Sequence, residues 1–107
     1  MATGTIKIRA TLQEGVTTVK ALISHEMETG LRKNKDTNEV YPAHFIQAVK
    51  AEVNGKALLT CNWGGAVSKN PFLSFKFKGA KAGDKLTLSW TDNTGDTDQE
   101  TAAIVTP

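Results

Sequence analysis

The residues best equipped for chemistry lie in one run, His25-Glu26-Met27-Glu28, inside the stretch KALISHEMETGLRK at positions 20–33. Imidazole, thioether and carboxylate groups can ligate a metal, and His or Glu can move a proton. His44 and Cys61 complete the set of imidazoles and thiols. A blue-copper centre on a β-sandwich needs a Cys, a His and often a Met close together late in the chain, with a second His upstream. Here no His or Met follows Cys61, and His25 and Met27 lie far ahead of it. A His25/Met27 chelate would still lack ligands for a closed site. Cys61 with His25 or His44 could form a nucleophile–base pair, but the flanks LLTCNWGG carry no nucleophile motif. Glu26 and Glu28 share a side of an extended loop, yet nothing in the sequence perturbs either carboxyl. The reading favoured is therefore His25 as a hydrogen-bonding loop residue and Met27 as a packing residue. No metal, cofactor or enzymatic activity is expected. Arg32, in the basic tip GLRKNKD, could clamp a partner's carboxylate.

A chain of 107 residues fits one domain over positions 1–107. With 39% hydrophobic and 22% charged residues it has the composition of a folded protein. A net charge of +2 is too balanced to argue for nucleic acid or an anionic membrane as partner. No run approaches the ~20 apolar residues of a membrane helix. The opening MATGTIKIRA lacks an apolar signal-peptide region, which by itself points to the cytoplasm. One cysteine excludes an internal disulfide and leaves Cys61 as either a structural thiol or a candidate for a disulfide to a partner chain.

Short alternating runs separated by turn residues must position these groups. TIKIRA, VTTVKALIS, FLSFKFK and KLTLSW each place apolar residues on one face. AHFIQAVKAEV suits helix or strand by periodicity, but Asn54-Gly55 between two apolar runs is a hairpin signal that favours strand. Seven strands are expected, at about 5–10, 16–24, 43–53, 56–61, 72–78, 85–91 and 98–105. They form an all-β, seven-stranded immunoglobulin-like (fibronectin III-like) antiparallel sandwich with Trp90 as a core anchor. A two-residue turn at 54–55 pairs Cys61 with Ala48, on the side of Lys50 and Glu52; a one-residue slip reverses that. Successive chain reversals gather loops 25–42, 62–71 and 92–97 at one end. The first of these is unusually long for a structureless loop, and the second holds Trp63 beside Gly64-Gly65. A large aromatic in a loop is more often a binding feature than a packing one.

The segments VKALISHEMETGLRK, YPAHFI, VNG, VSKNPFLSFKFKG and GDKLTLSWTDNTGD resemble the SoxZ family of the bacterial thiosulfate-oxidation system, over about Val16 to Asp96. Glu26 departs from that family's pattern, where Pro often follows the His, and alters the stiffness of the loop. The resemblance implies a non-catalytic subunit that pairs with a SoxY-like carrier, whose arm cysteine holds sulfur intermediates while other Sox enzymes act on them. It also implies a periplasmic location through export with a partner. On this reading His25, Met27, Glu28, Arg32, Trp63, Asn70 and Asp92 mark the end that meets the partner or its clients. A small copper electron carrier and a stand-alone binding module are the alternatives.

Overall fold

The structure is a computed structural model and describes residues 3–25, 27–28, 30–64, 67 and 70–107. Seven strands follow one another: β1 (Ile6–Gln13), β2 (Val16–Ile23), β3 (Ile46–Val53), β4 (Lys56–Asn62), β5 (Phe72–Lys78), β6 (Lys85–Asp92) and β7 (Thr97–Ala103). They form a three-stranded sheet in the order β1-β2-β5 and a four-stranded sheet in the order β4-β3-β6-β7. Every pairing between these strands is antiparallel.

Side-chain alternation explains the layering. Inward Ile6, Ala10, Val19, Ala21 and Ile23 of one sheet meet Ile46, Val49, Ala51, Leu86, Leu88 and Trp90 of the other, all buried. Each fully buried Leu or Ile contributes about 1.5–3 kcal/mol. Trp90 sits in this core, and its indole N–H donates to Thr5 Oγ1 at 2.9 Å, so burial leaves no unpaired donor.

Two local features differ from the expected pattern. The first strand does not stop at residue 10. It runs to Gln13 opposite Val16, and the turn shrinks to Glu14-Gly15, both at positive φ (52° and 78°). That geometry is the type I′ hairpin turn whose twist matches the flanking strands. The second concerns Cys61. The Asn54-Gly55 turn forms with both residues at positive φ, and Val53 faces Lys56. A bulge then opens between Ala51 and Glu52 and leaves Leu58 without a cross-strand partner. Beyond it the register has slipped by one, and Cys61 opposes Val49 instead of Ala48. The thiol is therefore turned inward and packs, half-buried, against the core.

The long segment after β2 is an extended, bridged arm. Glu28 pairs with His44 and Lys33 with Val40. Tyr41 N donates to Arg32 O, and Asn34 N to Glu39 O, each at 2.8 Å. The chain thus turns at residues 34–39, with Asn38 at φ 60°.

Candidate functional site

The polar centre of the loop-rich end is Asp92, the last residue of β6. Alternation from Leu88 and Trp90 points its side chain inward, where only 2% of the residue is exposed. Its Oδ1 accepts from Thr94 N (3.0 Å), Thr94 Oγ1 (2.7 Å) and Asp96 N (2.9 Å), which closes the turn of Asp92-Asn93-Thr94-Gly95. Its Oδ2 accepts from the Nε2 of His25 at 3.1 Å and the Nε2 of His44 at 2.8 Å. Burial pushes the carboxyl up, but the hydrogen bonds from Thr94, His25, His44 and Asp96 outweigh it and hold Asp92 well below the usual carboxylate range.

His25 is fixed from every side. Its backbone N–H donates to Asn70 Oδ1 and its carbonyl accepts from Asn70 N, both at 3.0 Å. Its ring stands edge-on to Trp90 (5.1 Å between centroids) and to His44 (4.6 Å). Met27 N donates to Nδ1 at 3.0 Å. That bond assigns the tautomer: Nδ1 offers its lone pair, and Nε2 carries the hydrogen that Asp92 accepts.

The tautomer decides how this cluster works. His25, His44 and Asp92 bring one ligand atom each within 4.8 Å of one another, the donor set of a two-His, one-carboxylate centre. A His that binds a metal through Nε2 ordinarily donates its Nδ1–H to a second partner. Here Nδ1 receives a hydrogen from Met27 N instead. Cys61 is not a member of the group. The arrangement fits a hydrogen-bonded clamp and does not fit a metal centre.

A second buried carboxylate extends the clamp. Asp98 accepts from Thr5 Oγ1 and from Thr5 N (2.9 Å), while Thr5 accepts from Trp90. Burial pushes Asp98 up, and the Thr5 and Gln99 hydrogen bonds more than reverse it, leaving the carboxyl below its usual value. Among the described residues, Thr17 Oγ1 is the one buried side-chain polar atom without a hydrogen-bond partner.

The residues singled out in the sequence fall into two groups. His25, Met27 and Asp92 are buried (7%, 6% and 2% exposed); they hold the loops together and have no face to present to a partner. Met27 joins the core, and its sulfur receives Ile46 N at 3.4 Å. Glu28, Arg32 and Asn70 remain at the surface or near it. Arg32 is ion-paired with Glu28 and lies over the Tyr41 ring at 3.9 Å. Trp63 is half-buried against the core, and its backbone N–H donates to Gln47 O at 2.9 Å. Glu26 and Gly65, which the sequence also singles out, lie outside the described residues. Sequence reasoning does not place His44 or Asn93 in the site. Asn93 Oδ1 accepts from Phe45 N and its Nδ2 donates to Ala43 O, both at 2.8 Å, stitching the β6–β7 turn to the entry of β3. The DNTGD turn chemistry is the available signal, since Asx side chains close their own turns.

Solved structures of low sequence similarity share the fold. The superoxide reductase (neelaredoxin) of Ignicoccus hospitalis is 16% identical, with a TM-score of 0.64 over 96% of this chain and 80% of that one. The reduced superoxide reductase of Archaeoglobus fulgidus is 17% identical, with a TM-score of 0.63 over 96% and 89%. A hypothetical protein of Pyrococcus horikoshii, PH1083, is 14% identical, with a TM-score of 0.62 over 92% and 86%. At such identities the likeness concerns the all-β fold alone. No individually curated protein sequence matches the chain. The family description "Sulphur oxidation protein SoxZ" matches residues 6–103; the chain belongs to the SoxZ family and is a subunit of the sulfur-oxidation (Sox) system.

Proposed function

We propose that this chain is a non-catalytic subunit of a heterodimeric sulfur-carrier complex. It binds a SoxY-like partner, whose arm cysteine carries the covalent sulfur intermediates, and helps present that arm to the Sox enzymes. The family match over residues 6–103 supports the system. The observation that carries the non-catalytic role is the closed polar clamp. His25 has both ring nitrogens engaged, and both oxygens of Asp92 are taken. An imidazole and a carboxylate so satisfied rigidify a surface; neither His25 nor Asp92 is a poised acid, base or nucleophile.

The strand order β1-β2-β5 and β4-β3-β6-β7 supports an immunoglobulin-like sandwich of the fibronectin III kind. The exposed part of the loop-rich end is then the recognition surface: the arm with Leu31 (86% exposed), Arg32, Val40 and Tyr41, adjoined by Asn70 and the outer part of Trp63. The complex is assigned to the periplasm, reached by export with the partner. Cys61, half-buried on edge strand β4, is the candidate for a disulfide to that partner.

Isolation of the chain from thiosulfate-grown cells tests this reading, with reducing and non-reducing gels run side by side and with periplasmic and cytoplasmic fractions compared. A second protein with a cysteine near its C-terminus should co-purify in equal amount from the periplasm. Leu31→Ala and Arg32→Ala should slow thiosulfate-dependent turnover and leave the melting temperature nearly unchanged, because neither side chain is buried. Purification without a second chain, or full turnover in both variants, would remove the proposal. Trp63→Ala is a poorer probe, since its half-buried ring also packs the core.

A further inference from the structure

The outer face of the three-stranded sheet has a charge pattern unlike the rest of the molecule. Its outward positions carry Lys7 and Arg9 on β1, Lys20 on β2, and Lys76 and Lys78 on β5, all exposed. No Asp or Glu occupies an outward position on these strands. Arg9 stands directly opposite Lys20 in the register. Two like charges facing each other across a strand pair destabilise the sheet. Lys7 and Lys76 are the diagonal neighbours of Lys20, since Lys7 faces Leu22 and Lys76 faces Thr18, and diagonals lie about 7–8 Å apart. The ion pairs among the described residues involve none of these five cations. At one end of the stripe the row Lys7–Leu22–Phe72 crosses all three strands, with Leu22 41% and Phe72 61% exposed. Two adjoining shallow depressions run along the stripe, one lined by Arg9, Thr18 and Lys20, the other by Lys7, Leu22 and Phe72.

We infer that this face docks the acidic surface of a client protein, with client carboxylates between Arg9 and Lys20 and an apolar client side chain against Leu22 and Phe72. An anionic partner converts the standing repulsion of the Arg9/Lys20 pair into attraction, so complementarity is gained where the isolated sheet is least comfortable. The exposed apolar pair favours a protein over a bare polyanion, because neither DNA phosphates nor lipid headgroups gain from covering Phe72. A second copy of the chain is a poor occupant. The outward positions of its other sheet mix Lys50 and Lys85 with Glu52 and hydroxyl residues, which is not a complementary acidic face. Charge-led docking raises encounter rates and specificity while allowing release, as a subunit visited by several enzymes needs. The surface adjoins the loop-rich end at the row Lys7–Leu22–Phe72 and runs away from it along the sheet through Arg9, Lys20 and Lys76; it rests on the carrier reading only for the client being a Sox enzyme.

The test titrates the chain, with its partner subunit if the two co-purify, against a synthetic peptide of alternating Glu and Leu. A Lys/Leu peptide, a short DNA duplex and phosphatidylglycerol vesicles are run in parallel, and amide shifts are followed by NMR. The Glu/Leu peptide should move Lys7, Arg9, Lys20, Leu22 and Phe72, and its affinity should fall as salt rises. Arg9→Glu and Lys20→Glu should each weaken it about tenfold, whereas Lys50→Glu on the other sheet should not. Arg9→Glu should melt at or above the parent temperature, which separates lost docking from lost folding. In cells, Arg9→Glu should slow thiosulfate consumption and Lys50→Glu should not. Shifts centred elsewhere, or unchanged affinity in both variants, would overturn the assignment, as would tighter binding of the duplex or vesicles than of the peptide. If deleting the whole chain leaves thiosulfate consumption intact, the carrier reading fails and the peptide result alone decides the face.

Discussion

His25 and Asp92, separated by 67 positions, meet through a 3.1 Å hydrogen bond in which the imidazole Nε2–H donates to a carboxylate oxygen. The bond joins the end of β2 in one sheet to the end of β6 in the other. His44 donates to the same oxygen from the entry to β3. One buried carboxylate thus ties together the segments that would otherwise fray at the loop-rich end, and the exposed arm is built outward from that knot.

The clamp predicts an acid-labile fold. Asp92 and Asp98 are both held below their unfolded value of 3.8. A carboxyl depressed in the folded state stabilises the fold above its unfolded pKa, and that contribution is lost as pH falls through the folded value. Melting temperature should therefore be level near neutrality and fall below about pH 4. In Asp92→Asn an amide N–H₂ must face either the imidazole donors or the turn N–H groups, at a cost of about 2–3 kcal/mol. Its acid transition should also be shallower than that of the parent. A flat acid profile in the parent would contradict the clamp.

Thr17 offers a change in the opposite direction. Its hydroxyl is fully buried and unpartnered, and Val has nearly the same shape and suits a strand. Thr17→Val should raise stability by about 1 kcal/mol, read as a higher denaturant midpoint with an unchanged slope. A loss of stability would mean that the hydroxyl has a partner.

The β1–β2 turn isolates a purely conformational cost. Gly15 has φ 78°, and a Cβ placed there would touch nothing within 4 Å. Gly15→Ala should cost about 1 kcal/mol through backbone strain alone, with core contacts unaltered in near-ultraviolet circular dichroism.

The bulge in β4 sets the direction of the thiol. Leu58 is the extra residue: Ala57 faces Glu52, while Leu59 and Cys61 face Ala51 and Val49. Deleting Leu58 lets Leu59 follow Ala57 in ordinary alternation, so every remaining pair keeps its register and Cys61 stays inward. The deletion variant should therefore react with Ellman's reagent in native buffer about as slowly as the parent. A much faster thiol would show that the distal half of β4 had flipped and that Cys61 does not pair with Val49.

Much of the architecture was legible in the residues. Alternation in TIKIRA, VTTVKALIS, FLSFKFK and KLTLSW marks strands because side chains on a pleated backbone point alternately to opposite faces. The Asn-Gly pair marks a hairpin because few other residues tolerate positive φ at both central positions. The gathering of His25, Trp63 and Asp92 at one end follows from chain reversals alone. The SoxZ resemblance also rested on the residues, and the family match over positions 6–103 agrees with it.

What the linear order did not contain were the relationships set by three-dimensional packing. The β4 bulge depends on how β4 settles against β3 and the core, so the side that Cys61 takes was open until the register was known. His25, Met27 and Asp92 look like surface chemistry in sequence because they are polar or sulfur-bearing residues beside loops. Only the approach of two sheets converts them into a buried clamp, since burial and hydrogen-bond partners are properties of segments many residues apart. The basic outer face arises in the same way. Lys7, Arg9, Lys20, Lys76 and Lys78 are scattered over three strands and are diluted by the acids elsewhere in the count. Strand pairing places them side by side, because register, not sequence distance, decides which charges face each other.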